Sequence, residues 1–258
     1  MDTRSHTVKR LDFRALFTVY LRSFFFQGSF SVKERQNIGF AYCIEPVGSE
    51  LYTQDSERRA FQLRHTEFFN VNPFIATLVL GAVAHMEERL LDDGSITSED
   101  ISRFKAAFGN VCGSVGDRFF WRTLRPFCLV FGLLGTLFYG IWGIVLFLAL
   151  FNVSTMILKW HWLKSGYRLG PMVVHEIRKH YINNTALLLE RISGIAIAFF
   201  TVAFLSRSEY GISWITAGTI LLFSLSILLF SKKLQHSLIF FLCTALSLIL
   251  GILMVMFV

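Results

Sequence analysis

Hydrophobic positions fall into two regimes along the chain. In residues 1–67 they recur at helical spacing among charges, and from 126 onward they form long runs that charges only punctuate. Phe13, Leu16, Phe17, Tyr20, Leu21 and Phe24 follow the i, i+3, i+4, i+7 progression and predict one apolar helix face, with Asp12 placed to cap it. An aromatic face flanked by Arg14 and Arg22 fits equally a helix lying in a membrane interface and a helix packed on its own protein. Ser31-Val32-Lys33-Glu34 matches a capping box and predicts a second helix. A third opens at Thr97, with Ile101, Phe104 and Phe108 on one face and Gly109 as its stop.

The second regime begins after Arg125. Pro126–Leu158 is a run of 33 residues without a charge, above the ~20 that cross a bilayer core as a helix. Pro126 suits the first turn of such a helix, where its missing N–H would have no partner anyway. Ile192–Ser206, Tyr210–Ser231 and Leu234–Val258 follow. The last two are long enough to span, and the first reaches across if Arg191 and Arg207 snorkel at its ends. The pattern predicts an all-α, polytopic integral membrane protein. Composition agrees: 53% of the 258 residues are hydrophobic, 17% are charged, and mean hydropathy is +0.52. The net charge of +7 gathers partly in Lys159–Arg191, six Lys/Arg against two Glu. Beside apolar spans this reads as a cytoplasmic, lipid-facing loop, not a nucleic-acid patch. Arg14 and Arg22 interrupt the first apolar segment, so no signal peptide is expected.

Two segments break the pattern. Phe68 opens an uncharged run to Ala84 whose front third, Phe68-Phe69-Asn70-Val71-Asn72-Pro73-Phe74, suits no continuous membrane helix. Gly109–Trp121 holds three Gly, Asn110 and Asp117 before an aromatic cluster. Interrupted segments at membrane depth line polar cavities or lie buried in protein, and in transporters they point to the binding site. Surface loops joining a soluble part to its anchor would carry the same composition. The chain divides into an amphipathic N-terminal region (1–67), a core with two re-entrant or broken segments and a long apolar helix (68–170), and a basic loop with C-terminal spans (171–258).

The candidate residues keep two roles each. Glu67, Asn70 and Asn72 can hydrogen-bond a polar ligand or hold the backbone of their own turn, which Pro73 shapes. Asp117 is an intramembrane carboxylate, functional by default, or a salt-bridge partner of Arg118, Arg122 or Arg125. Trp121 can stack on a ligand or anchor the chain at the interface. No metal site or cofactor is expected: His175 and His180 are five apart, and the four Cys form no CxxC pair. Nucleophile–base motifs are also missing, which argues against a catalytic subunit.

Several blocks occur in order: Leu21-Arg22-Ser23, Gln27-Gly28-Ser29, Gly39-Phe40, Arg64-His65-Thr66-Glu67-Phe68-Phe69-Asn70, Pro73-Phe74, Gly81 and Glu87-Glu88. They continue through Gly113-Ser114-Val115-Gly116-Asp117, Phe120-Trp121, Arg125-Pro126, Phe151-Asn152, Gly166-Tyr167 and Gly170. From Leu21 to Gly170 the chain resembles the IID component of the mannose-type phosphotransferase system, and beyond that the likeness is one of hydropathy. The resemblance implies a multi-pass, elevator-type subunit with re-entrant hairpins in the bacterial inner membrane. It would pair with a IIC subunit in a higher-order oligomer and pass a hexose-type sugar to the phosphocarriers IIA and IIB, with no phosphorylated residue of its own. The family carries Pro and Gly where this chain has Arg118 and Arg122. That departure admits a second expectation, a non-transporting regulatory or scaffold paralogue that keeps the IIC assembly.

Overall fold

The computed structural model describes residues 10–174 and 181–207. Ten of these belong to a second compact unit, 198–258, and the rest to the first. The proposed spans Tyr210–Ser231 and Leu234–Val258, His175, His180 and Cys243 lie outside the described residues.

Every regular element of three residues or more among them is helical. α1 (Phe13–Arg22) buries Ala15, Leu16 and Val19 and leaves Phe13, Phe17 and Leu21 exposed. The predicted apolar face is therefore divided: one edge packs on the protein while the aromatic edge stays open around Trp160, which meets Phe13, Phe17 and Tyr20 edge-on. No helix starts at Ser31. Its hydroxyl does accept from Glu34 N at 2.9 Å, as a cap would. Arg35 then turns left-handed at φ 58°, so the chain makes a turn closed by a Ser31–Arg35 bridge. α2 (Asn37–Leu51) begins after it. Pro46 inside α2 cannot donate to Tyr42 O, and the Arg22 guanidinium fills that carbonyl at 3.0 Å while also meeting Glu45 at 2.8 Å. α3 (Asp55–His65) follows.

α4 (Ala76–Asp92) is the centre of the fold, with Ala76–Ala84 wholly buried. α5 (Ser98–Asp117) opens with the expected capping box, Asp100 N on the Thr97 hydroxyl and Thr97 N on the Asp100 carboxylate. It does not stop at Gly109. The helix runs through Gly109, Gly113 and Gly116, widens into a π-helical segment (Arg118–Leu124) and continues as α6 (Arg125–Tyr139). The widening has a cause in the sequence: Pro126 has no N–H for Arg122 O and its ring would clash there. In the looser turn Arg125 N reaches back to Phe120 O, five residues away.

The 33-residue uncharged run is not one helix. Gly140, at φ 59°, ends α6, and α7 (Trp142–Leu169) returns antiparallel to it. α6 and the first half of α7 thus form an apolar hairpin between Arg125 and Lys159. Trp142–Met172 is the one helix among the described residues that is long and apolar enough to cross a membrane. Ile144, Val145, Leu148, Val153 and Ile157 are exposed on it. Lys159–Arg191 is not a loop throughout: α7 continues to Leu169, a 3₁₀ turn covers Gly170–Met172, and α8 spans Tyr181–Arg207.

Candidate functional site

The two interrupted segments lie against each other. Phe69–Asn72 is extended and is held at both ends by Gln36, whose N–H donates to Phe69 O and whose side chain accepts from Val71 N, both at 2.9 Å. Its other side rests on the glycines of α5. A Cβ on Gly109 would press on the Phe69 ring at 2.8 Å, and one on Gly116 would meet Asn72 Cβ at 2.6 Å. Asn72 is buried and does two jobs: its Oδ1 accepts from Phe74 N at 3.0 Å and its Nδ2 donates to Asp117 Oδ1 at 2.8 Å. The Asp117 carboxylate is tied across to Asn72, and no ion pair joins it to Arg118, Arg122 or Arg125 among the described residues. Pro73 and Phe74 follow, with Phe74 packed on Phe120, Trp121 and Phe151. Arg125 lies over the Trp121 ring at 5.5 Å.

Beneath Pro73 and Phe74 is a cavity of about 430 Å³. Phe24, Phe26 and Phe74 supply its aromatic wall, and Ser23, Gln27, Asn152, Thr155 and Lys159 supply polar groups. Lys159 is buried, donates to Ser23 O at 2.8 Å and sits over the Phe24 ring at 4.6 Å. A volume of this size with an apolar lining and a few convergent polar groups is the usual form of a small-molecule site. Among the expected site residues only Pro73 lines it. Asn72, Asp117, Trp121 and Arg125 build the structure above it, Asn70 is exposed, and Glu67 lies on another face, 3.8 Å from Lys105. Asn152, Thr155 and Lys159 were legible as a stripe at i, i+3 and i+7 of one helix. Reading the helix as ended at Leu158 hid Lys159.

A second polar cluster is buried under α3. Arg64 meets Glu87 through two hydrogen bonds, 2.9 and 2.8 Å, while Tyr52 donates to the same carboxylate at 2.7 Å. His65 Nε2 lies 2.9 Å from Glu87 Oε1, and its ring is enclosed by Phe40 and Phe61. His65 Nδ1 has no hydrogen-bond partner among the described residues. Burial pushes the imidazole down to about 4, with Lys105 and Arg64 adding to the effect, so His65 is neutral and donates Nε2–H. Burial would raise the Glu87 carboxyl, but hydrogen bonds from His65 and Arg64 outweigh it and hold it well below the usual range. Lys105 Nζ caps Arg64 O at 2.7 Å. Glu88, the neighbour of Glu87, accepts from Tyr167 OH at 2.8 Å and Leu11 N at 3.1 Å. The paired glutamates are thus ties between helices, not ligands.

The His65 shift has a sign that can be measured. An unfolded imidazole takes up its proton near 6.5 and the folded one near 4, so acidification through that window favours the unfolded chain. Thermal unfolding in detergent should show stability constant above pH 7 and falling by on the order of 3 kcal/mol towards pH 4. A melting temperature flat across that range contradicts a neutral His65.

The family model described as "PTS system mannose/fructose/sorbose family IID component" matches residues 10–202. The fructose permease IID component of Bacillus subtilis (strain 168) is 32% identical over 169 residues, 66% of this chain and 62% of that protein. The mannose-specific EIID component of the Escherichia coli (strain K12) PTS is 31% identical over 176 residues, 68% of this chain and 62% of that protein. The chain therefore spans about three-fifths of the length of the curated relatives it matches. Two solved structures share the fold, each at 24% identity and covering 93% of this chain and 96% of the other. One, with a TM-score of 0.60, is a mannose transporter ManYZ in complex with microcin E492. The second, with a TM-score of 0.69, is described as a membrane protein.

Proposed function

We infer the function from family membership: the chain belongs to the mannose/fructose/sorbose family of phosphotransferase-system IID components. On that premise it is a membrane subunit that acts with a IIC subunit to carry a hexose-type sugar across the bacterial inner membrane to the phosphocarriers IIA and IIB. In this reading the phosphoryl group passes along IIA and IIB, and the task of this subunit is to bind, orient and admit the sugar. The carrying observation is that every residue lining the cavity below Pro73–Phe74 lies inside the matched span 10–202. Its aromatic wall suits the apolar C–H face of a sugar ring. The Asn152 and Gln27 amides and the Lys159 ammonium suit its hydroxyls.

The α6–α7 hairpin is the re-entrant element in this reading. The 15 residues of α6 reach about 22 Å, short of the ~30 Å bilayer core. Charges at Arg125 and Lys159 mark its base. An elevator-type movement would carry the hairpin and the cavity together, since Phe74 and Phe151 join them. α8 and the uncharged sequence runs 210–231 and 234–258 would supply the crossings of a multi-pass subunit.

The test uses membranes holding the full chain, a IIC subunit, IIA and IIB. Phosphoenolpyruvate-dependent phosphorylation of at least one hexose or amino sugar is expected. Asn152→Ala and Lys159→Met should lower it at least tenfold while the two membrane subunits still co-purify. No sugar-dependent signal from an assembled complex would overturn transport and leave a scaffold role.

A further inference from the structure

Asp117, Arg118, Trp121, Arg122 and Arg125 are the exposed positions of the π segment and its two borders, alternating with the buried pairs Phe119–Phe120 and Thr123–Leu124. Three guanidinium groups therefore run up one side of a single helical rod. None of them meets a carboxylate among the described residues, and the nearest in sequence, Asp117, is tied to Asn72. The same side then changes character within one turn. Leu129 and Leu133 follow Arg125 at i+4 and i+8, and both are exposed, at 46% and 41%. Trp121 is 42% exposed beside them, with Arg125 over its ring.

We propose that this side of the π segment and α6 binds one anionic phospholipid, its phosphate on Arg118, Arg122 and Arg125 and an acyl chain along Leu129 and Leu133. Guanidinium groups match phosphate oxygens in pairs, and an indole ring beside them belongs at the depth of lipid headgroups. From Arg125 to Leu133 the helix rises about 12 Å, a rail for the upper part of a chain directly below the phosphate. That rail favours a lipid over an acidic side chain of another subunit, which would need the arginines and no leucines. The proposal rests on the reading of the α6–α7 hairpin as membrane-inserted, and it is independent of whether sugar is carried.

The experiment titrates the detergent-purified full chain, with its IIC subunit when the two co-purify, against phosphatidylglycerol and phosphatidylcholine of identical acyl chains. Native mass spectrometry reads the bound lipid. At least tenfold tighter binding of phosphatidylglycerol is expected. The double variant Arg118→Gln/Arg122→Gln should erase the preference, and Arg122→Lys, which keeps the charge but not the paired donors, should retain part of it. Leu129→Ser/Leu133→Ser should weaken phosphatidylglycerol binding with all three arginines present. Equal affinity for the two lipids overturns the proposal, as does an unchanged preference in the Gln variant. Competition by chain-free glycerophosphoglycerol at equal concentration overturns it in favour of a soluble phosphate. Loss of the IIC subunit with the lipid preference intact overturns it in favour of a protein contact. Because none of these readouts needs sugar, failed uptake with intact lipid preference refutes only the transport reading.

Discussion

Gly81→Val and Gly166→Val should each prevent α4 and α7 from packing and leave little folded protein. The two glycines face one another where the helices cross. A Cβ on Gly81 would land on Leu163 O and lie 2.8 Å from Tyr167 N, and one on Gly166 would land on Leu78 O and lie 2.9 Å from Ala82 N. These obstacles are backbone atoms, which no rotamer change removes, so the helices would have to part. Separation uncovers Leu78, Ala82 and Leu163, all buried at the crossing. Forced overpacking of this kind costs about 3 kcal/mol or more. Gly113→Ala is the contrast, because its added methyl meets nothing nearer than Val71 Cα at 3.9 Å. It should hold or raise stability, since Ala is a better helix former by ~1 kcal/mol. Melting curves and gel-filtration profiles in detergent decide the matter: a Gly81→Val protein that melts with the parent refutes the close crossing.

Glu87→Ala has the second large effect. It would strand the Arg64 guanidinium, whose side chain is 12% exposed, together with Tyr52 OH and the Nε2–H of His65. Removing one partner of a buried ion pair costs about 3–5 kcal/mol, because the remaining charge stays uncompensated. Glu87→Gln keeps the shape and one acceptor and should fall between alanine and the parent. The folded baseline should disappear first in the alanine variant as urea is raised. Equal midpoints for all three proteins would show that the cluster contributes nothing to stability.

Much of this core was legible in the sequence, for reasons that differ by residue. Asn70, Asn72 and Pro73 announced a chain that cannot be helical, and it is extended and turned there. Thr97 announced a cap, and the cap is made. Gly109 misled because glycine has two uses. It can end a helix, or it can leave room, and here it leaves room for the Phe69 ring. Ser31 misled in the opposite way, since its hydroxyl caps one turn that Arg35 then diverts. The uncharged run after Arg125 concealed a reversal because a two-residue turn at Gly140-Ile141 alters neither hydropathy nor charge. The cavity was hidden for a related reason. Its lining comes from three distant stretches, 23–27, 73–74 and 152–159, and only the packing of the 3₁₀ turn after α1, the Pro73 turn and α7 brings them to one place.

The π segment has a consequence for how such a chain can change over generations. Each residue of an α-helix turns it by about 100°, and the wide turn at Arg118–Leu124 stores slack that an ordinary ladder lacks. Removing one residue there is absorbed where it occurs: the wide i→i+5 turn tightens to an ordinary i→i+4 turn, which sweeps nearly the same angle with one residue fewer. α5 stays on Phe69–Asn72, and the hairpin beyond keeps the side it shows to its surroundings. A single codon can be lost at this point without turning the apolar arm.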